Sequence, residues 1–205
     1  MGMFQTIVSL ATAVAVAVLG FGLEAATDES TSEKYALTTF REKVSNVTVL
    51  VDGFAASMHH GDDFVPLTVV VGLTAGGNVT VTPESFQLFD RSGNVYPAVS
   101  YGEILESYDR LSFDAALVRR RPIVVGQQFA LSDKLPASFY PYVGAGTRVD
   151  NIHLAPYTWF ETVVYFPRPI AGLGGVMALE VAGGGIESPI YVKFRVPVRK
   201  GTRQS

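Results

Sequence analysis

The pattern of apolar and polar positions is clearest from Phe64 to Tyr101, where strand-like segments alternate with Gly, Asn and Pro turns. Side chains of an extended chain alternate between two faces, so the odd-numbered residues from Leu67 to Leu73 share one face. Thr68 and Val70 fall on the other face. This stretch therefore predicts a strand whose Leu67 face needs a hydrophobic cover.

A β-hairpin is predicted shortly after this strand. Phe86–Phe89 forms its first arm, Asp90–Asn94 its turn, and Val95–Tyr101 its returning arm. Asp and Asn side chains bond their own backbone in turns, and Gly93 supplies a positive φ. The apolar residues on both sides of the turn favour antiparallel pairing of the two arms.

Further strands are predicted on either side of the hairpin, and one or two short helices after it. Glu103–Tyr108 and Ser112–Arg121 lack strict alternation, and the second segment has Arg residues at its end, which the helix dipole favours, before Pro122. The predicted strands are Val47–Val51, Ile152–Leu154, Trp159–Phe166, Met177–Val181 and Ile190–Val196. Roughly seven to nine strands without regular strand–helix alternation predict an all-β fold of two packed antiparallel sheets.

The chain divides into four segments by composition. Residues 1–25 are apolar, with no ionisable side chain before Glu24, and are interpreted as a cleaved export signal, a retained membrane anchor or a buried helix. Residues 26–43 are polar and form a predicted linker. Residues 44–198 form the predicted β domain, and residues 199–205 a basic tail. The first two interpretations of the apolar segment place the domain outside the cytoplasm.

The segment from Phe86 to Tyr96, read F-x-L-x-D-x-x-G-x-x-Y, together with the preceding Val-rich strand, resembles a hairpin of immunoglobulin-like domains of unknown function in bacterial secreted proteins and lipoproteins. The segment from Trp159 to Pro167 and the closing strand fit the same plan. The resemblance covers about Val47 to Val198 and implies a two-sheet sandwich in an extracytoplasmic setting. It implies no catalytic residues, and the lipid-bearing Cys of the lipoprotein members is missing here.

Composition excludes several classes of function. The sequence contains no Cys, which removes disulfides, thiolate metal sites and thiol catalysis. The net charge of −3 argues against nonspecific binding of nucleic acid, which needs a basic footprint. Gly172–Met177 lacks the third glycine of a dinucleotide fingerprint, and there is no phosphate-binding loop. No cofactor is therefore predicted.

The densest set of possible metal ligands is the segment from His59 to Asp63. His59, His60, Asp62 and Asp63 carry imidazole and carboxylate groups, which suit Zn²⁺ and similar ions. No matching ligand set stands elsewhere, and His153 lies alone on a predicted strand. We therefore predict no metal site and interpret the segment as a polar loop, with these residues as weak candidates.

Two other groups are candidates for contact with a ligand. Arg119, Arg120 and Arg121 could hold phosphate or an acidic sugar through their guanidinium groups, or form the solvated end of a helix. Trp159, with Tyr140, Tyr142, Tyr157 and Phe160, could form a stacking platform for sugar rings, or fill the core. For Trp159 we favour the core.

These observations favour a noncatalytic domain, secreted or tethered by the N-terminal segment, that presents loops to an envelope protein or polysaccharide. An alternative is an envelope carbohydrate hydrolase using loop carboxylates such as Asp109 and Asp114, which are more simply interpreted as helix caps. A purely structural spacer is a third hypothesis. The fold alone does not separate them.

Overall fold

The computed structural model describes residues 39–59, 61–123, 129–141 and 148–197. They are mostly β-strands arranged in sheets with a few short helices, which confirms the all-β prediction and is consistent with a sandwich. The helices are α1 (Phe54–Ser57), α2 (Tyr101–Ser107) and α3 (Leu111–Arg120). The strands are β1 (Thr39–Val44), β2 (Val47–Asp52), β3 (Phe64–Leu73), β4 (Val79–Val81), β5 (Phe86–Phe89), β6 (Val95–Pro97), β7 (Asp133–Lys134), β8 (Ile152–Leu154), β9 (Thr158–Pro167), β10 (Val176–Val181) and β11 (Ile190–Arg195).

The strands form a five-stranded sheet in the order β1-β2-β3-β9-β7, a four-stranded sheet in the order β11-β10-β5-β6, and the pair β4-β8. Neighbouring strands are antiparallel except β7, which joins β9 in parallel. The prediction of purely antiparallel sheets is therefore wrong at this edge. The two-residue strand β7 leaves a very short edge, which limits pairing with other chains.

Strand β3 is buried along its whole length because it is the central strand of the five-stranded sheet and both of its faces are covered. Leu67, Val69, Val71 and Leu73 belong to the main core, which confirms the predicted alternation. Val70, on the opposite face, belongs to a second, smaller core. The other buried members of that second core are Leu50, Ile123 and Phe129.

The predicted hairpin is confirmed by the antiparallel pairing of β5 with β6. One carboxylate oxygen of Asp90 accepts hydrogen bonds from the backbone N–H of Ser92 and Asn94, at 2.8 and 3.0 Å. Gly93 has a φ of 83°, which a glycine adopts without strain. The returning arm is shorter than predicted, because β6 ends at Pro97 and α2 begins at Tyr101.

The main core contains inward side chains of both larger sheets. Phe139 joins the two layers: its ring lies 6.1 Å from that of Phe86 on β5 and 6.0 Å from that of Phe160 on β9, both edge to face. At one side of the sheets, Phe40 of β1 lies 6.5 Å from Phe194 of β11. Burial of these aromatic side chains supplies much of the stabilisation that a chain without disulfides requires.

Strand β1 occupies residues that the sequence analysis assigned to the polar linker. Thr39–Val44 pairs along its full length with β2, and Phe40 and Val44 pack against the main core. The linker prediction is therefore wrong for the residues from Thr39 onward. The pairing gives the hydrogen-bonding edge of β2 a partner, which the composition of the segment alone did not reveal.

The two predicted helices are present as α2 and α3, and α3 ends at Arg120, just before Pro122. Ser100 caps α2 by accepting a hydrogen bond from the backbone N–H of Glu103. Helix α3 has no side-chain cap, and its N-cap residue is Arg110. The predicted capping by Asp109 and Asp114 is therefore wrong.

The predicted apolar N-terminal segment of residues 1–25 and the basic tail of residues 199–205 lie outside the described residues. In the part of the chain that the structure describes, no helix is long and apolar enough to cross a bilayer.

Candidate functional site

His59 lies between α1 and β3, and only 1% of its surface is exposed. The chain after α1 continues to turn, with the backbone N–H of Met58 and of His59 donating to the carbonyls of Ala55 and Ala56. This turn directs the imidazole inward. Within the segment interpreted as a polar loop, the side chain of His59 is thus buried, whereas Asp63 is exposed.

Each imidazole nitrogen of His59 faces a carboxylate oxygen. Nε2 lies 2.7 Å from Oδ1 of Asp114, and Nδ1 lies 2.5 Å from Oδ2 of Asp62. An ionised carboxylate can only accept hydrogen bonds, so both contacts are satisfied when both nitrogens carry a proton. The geometry therefore favours the imidazolium form of His59.

Asp114, on α3, is fully buried and accepts hydrogen bonds from three side chains. Besides His59, the hydroxyls of Tyr108 and Tyr165 donate to its Oδ2 at 2.7 and 3.0 Å. Burial is the main cause that raises the pKa of Tyr108, and its hydrogen bond to Asp114 raises it further. Burial is also the main cause that raises the pKa of Tyr165, and the negative charge of Asp114 adds to it. Both tyrosines therefore remain protonated donors, and the buried carboxylate is saturated.

The surface end of the network is Asp62, which accepts a second contact from Arg110 at 2.6 Å. Burial opposes ionisation of Asp62, but hydrogen bonds from His59 and Arg110 outweigh it, so the pKa of Asp62 lies below its ordinary value. Burial also opposes the charged form of His59 and so lowers its pKa, but the hydrogen bonds to Asp114 and Asp62 outweigh burial and raise the pKa of His59 above its ordinary value. Asp62 and Asp114 thus stabilise the charge of His59. Arg110, whose Nη1 also lies 3.2 Å from Nδ1 of His59, stabilises the charge of Asp62.

Arg168 fixes the backbone beneath this network. Its guanidinium donates to the carbonyl oxygens of His59 and Asp62 at 3.2 and 3.3 Å, and its backbone N–H donates to the carbonyl of Asp63 at 2.8 Å. Together with the His59–Asp114 contact, these bonds tie the α1–β3 loop to α3 and to the C-terminal end of β9, which Arg168 directly follows. We call the set His59, Asp62, Tyr108, Asp114 and Tyr165 the buried network.

The buried network does not have the form of a metal centre. With both nitrogens of His59 engaged by carboxylates, no imidazole lone pair points toward an ion. Among the described residues, no group of three or more His, Cys, Asp or Glu is placed to hold a metal ion. Asp62 faces Arg110 rather than Asp63, and His60 lies outside the described residues.

The two carboxylates considered for hydrolysis differ in their exposure to solvent. Asp114 is sealed in the buried network, whereas Asp109 is exposed just before α3. A general acid or base must reach the substrate or its water. Asp114 instead connects α3 to the five-stranded sheet.

The three arginines at the end of α3 have different surroundings. All three are exposed, and the guanidinium of Arg121 lies 4.1 Å from the ring centre of Phe54 in a cation–π contact. Arg119 lines a groove of about 510 Å³ between α3 and β9. Arg119 is therefore the candidate for ligand contact among the three, because Arg120 and Arg121 do not line this groove.

The groove is lined by both apolar and charged side chains. Lys134 donates to Glu161 at 2.6 Å on the wall opposite α3. The remaining lining residues are Leu111, Ala115, Val118, Pro122, Ser138, Tyr140, Pro141, Thr162, Val163 and Tyr165. Its volume lies within the range of small-ligand clefts and peptide pockets.

Trp159 packs against the second core rather than standing on an open platform. Its ring stacks on Phe129 at 5.8 Å, its Nε1–H donates to the carbonyl of Ser132 at 3.3 Å, and the Lys134 ammonium lies 5.0 Å from the ring centre. Phe160 and Tyr140 are buried, Tyr157 is exposed, and Tyr142 lies outside the described residues. The side chains suggested as a sugar platform thus do not share one surface.

The sequence does not predict the buried network. It suggests unrelated roles for His59, Asp62 and Asp114, and places Tyr108 and Tyr165 only in a helix and a strand. His59 and Asp114 are 55 positions apart, and Tyr165 and Asp114 are 51 apart. No local spacing rule connects positions at such separations.

Comparison of the chain with protein-family models, with curated proteins and with solved structures gave no match.

Proposed function

We propose that this protein is a noncatalytic, immunoglobulin-like β-sandwich outside the cytoplasm that binds a partner protein or a cell-envelope polymer. The extracytoplasmic location is supported by the apolar segment of residues 1–25. The immunoglobulin-like assignment is supported by two sheets that share one core, and by the β5–β6 hairpin with its Asp90 turn. The apolar segment acts as an export signal or as an anchor.

The observation that carries the binding role is the groove between α3 and β9. Arg119, Lys134 and Glu161 place charges of both signs in its lining, while Ala115 and Val118 supply apolar contact. Binding clefts combine an apolar lining with a few placed polar groups in this way. In contrast, the charged groups of the buried network are satisfied by one another, which supports a role in stability rather than in chemistry.

A capture experiment on envelope extract tests the binding role. The purified full chain, immobilised, is expected to retain a specific protein or polymer, and Ala115→Trp, which fills the groove, is expected to reduce retention at least about tenfold, as loss of a buried contact does. Arg119→Gln should reduce retention in the same direction. Arg120→Gln is the matched control, since Arg120 is exposed on the same helix end and does not line the groove.

Three outcomes would overturn the proposal. Turnover of an envelope polysaccharide by the wild-type chain, abolished by Asp109→Asn, would establish the hydrolase. Absence of any specific retention would favour the structural spacer. Fractionation with the cytosol would contradict the location, and the N-terminal residue of the purified protein would distinguish a released form from an anchored one.

A further inference from the structure

The outer face of the four-stranded sheet is exposed on its edge strands, β11 and β6, and half-buried on the strands between them, β10 and β5. Exposure alternates strictly on β11, where Ile190, Val192 and Phe194 are buried and the residues between them are exposed. On β6 the outward residues are likewise exposed, whereas on β10 and β5 they are half-buried; the inward residues of these strands belong to the main core. In the described part of the chain, helix α3 covers the other sheet, not this one. We call this surface the open face.

An aromatic pair lies on the open face. Phe89 of β5 and Tyr191 of β11 approach across β10 to 6.0 Å between ring centres, edge to face. Ala178 of β10 pairs with Phe89, and its short side chain leaves room for the two rings. Val95, 48% exposed, pairs with Phe89 on the other side and extends the apolar surface.

Positive charge lies beside this aromatic pair. Lys193 and Arg195 follow Tyr191 at alternate positions of β11 and point to the same face, about 7 Å apart along the strand. Arg91, in the β5–β6 turn, lies against Gly175. Gly175 directly precedes Val176, the residue of β10 that pairs with Arg195. The acidic residue of this face, Glu180, hydrogen-bonds the Tyr191 hydroxyl.

The charge on this face is opposite in sign to that of the whole chain, which is −3. A protein whose net charge is negative but which carries a basic patch beside aromatic rings has a surface complementary to an acidic ligand. Arg and Lys bind carboxylates and sulfates through charge-assisted hydrogen bonds. Aromatic rings pack on the apolar faces of flat ligand groups, among which are sugar rings.

We propose that the open face binds an acidic polysaccharide, with Lys193, Arg195 and Arg91 contacting its carboxylates or sulfates and the pair Phe89–Tyr191 contacting its sugar rings. The outward side chains of four adjacent strands can contact several units of an extended chain, and this surface is separate from the groove between α3 and β9. This inference rests on the proposed extracytoplasmic binding role and names one ligand class and its surface.

The test measures binding of the full chain to polygalacturonate at low and high salt, with neutral dextran and anionic phosphatidylglycerol vesicles as comparison ligands. Wild type is expected to bind polygalacturonate with an affinity that falls steeply with salt. The double variant Lys193→Gln/Arg195→Gln should weaken binding about tenfold or more, since two charge-assisted contacts are lost. Tyr191→Ala should weaken it about threefold to tenfold at either salt concentration, because its contribution is not ionic.

The matched control is Arg41→Gln/Lys43→Gln. It removes the same charge from alternate exposed positions of β1, in the other sheet, and is expected to change affinity less than about twofold. Circular dichroism and thermal melting of each variant establish that it is folded. Equal weakening by both double variants would overturn the proposal, because the effect would then follow total charge rather than the open face.

The other outcomes separate this inference from the proposed function. Retention of an envelope partner that is sensitive to Ala115→Trp, without binding of polygalacturonate, would overturn the inference and leave the proposed function standing. Binding of the vesicles but not of polygalacturonate would overturn the inference in favour of a membrane surface. Absence of binding to every ligand and to envelope extract would overturn both.

Discussion

His59 and Asp114 are 55 positions apart in the chain and lie 2.7 Å apart in the fold, between Nε2 and Oδ1. Both side chains are removed from solvent. This contact joins the loop after α1 to helix α3, while Tyr165 joins Asp114 to the five-stranded sheet. The helix is therefore held to the sheet by a charged contact as well as by apolar packing.

The first prediction concerns the loss of one partner from this pair. Asp114→Ala leaves the His59 imidazole and two tyrosine hydroxyls without their acceptor in a buried site. Removing one member of a buried ion pair typically costs about 3–5 kcal/mol, so we expect a loss of unfolding free energy of that order by urea denaturation. Asp63→Ala, on the same loop but exposed, should change it by less than about 0.5 kcal/mol. A loss below about 1 kcal/mol for Asp114→Ala would contradict the assigned role.

The second prediction concerns pH. Burial opposes protonation of His59, but Asp114 and Asp62 raise its pKa above the ordinary value of about 6.5. A raised folded-state pKa stabilises the fold fully below about pH 6.5, and this contribution is lost as the pH rises through the folded-state pKa. The sign is opposite for Asp62, whose pKa is lowered in the folded state. Asp62 stabilises the fold when the pH is above the ordinary pKa of an Asp side chain, and this contribution is lost as the pH falls through the folded-state pKa.

Thermal melting at intervals between about pH 4 and 9 measures this dependence. We expect the melting temperature of wild type to fall from about pH 6.5 upward, and the fall to be absent from His59→Gln, which cannot titrate there. Parallel profiles for the two proteins would contradict the imidazolium assignment.

The parts of the fold that the sequence predicted are those with local causes. The alternation from Leu67 to Leu73 and the turn of Asp90–Asn94 each depend on neighbouring residues, and both were predicted correctly. Strand β1 was not predicted because three charged residues separate its two large apolar residues, Phe40 and Val44. The segment therefore shows no clear alternation of apolar and polar positions. Its conformation depends on its pairing with β2, a tertiary effect that overrides local preference.

The candidate site was predicted less well, for a related reason. An aspartate in the first turn of a helix is compatible with favourable dipole interactions, so Asp114 was assigned to capping, although its side chain enters the core. Only the packing of α3 against β9 places it beside Tyr165. Arg119 was selected together with its two neighbours, and the position of the groove distinguished it from them.

The third prediction concerns Phe139, whose ring bridges the two sheets and is fully buried. Phe139→Ala removes contacts with Phe86 and Phe160 at once and leaves a cavity between the layers. Such truncations typically cost about 3–5 kcal/mol, which urea denaturation will measure. Leu131→Ala is the control, since Leu131 is 92% exposed and should change the unfolding free energy by less than about 0.5 kcal/mol. Equal effects for the two variants would show that Phe139 does not join the layers.

The fourth prediction concerns Gly72, on the face of β3 that carries the second core. A Cβ atom there would stand 2.1 Å from the ring of Phe129 and 2.9 Å from Cβ of Trp159. Because no side chain fits in this space, Gly72→Ala must displace the Phe129 ring from its stack on Trp159. Overpacking of this kind typically costs about 1–3 kcal/mol.

Trp159 reports this displacement directly, since it is the single tryptophan of the chain. We expect Gly72→Ala to increase quenching of its fluorescence by acrylamide, as the stacked Phe129 ring no longer shields one face of the indole. Gly174→Ala is the matched control, because a Cβ at Gly174 meets no atom within 4 Å. If quenching were the same in wild type and in both variants, Phe129 would not shield Trp159, and the second core would not be closed at this position.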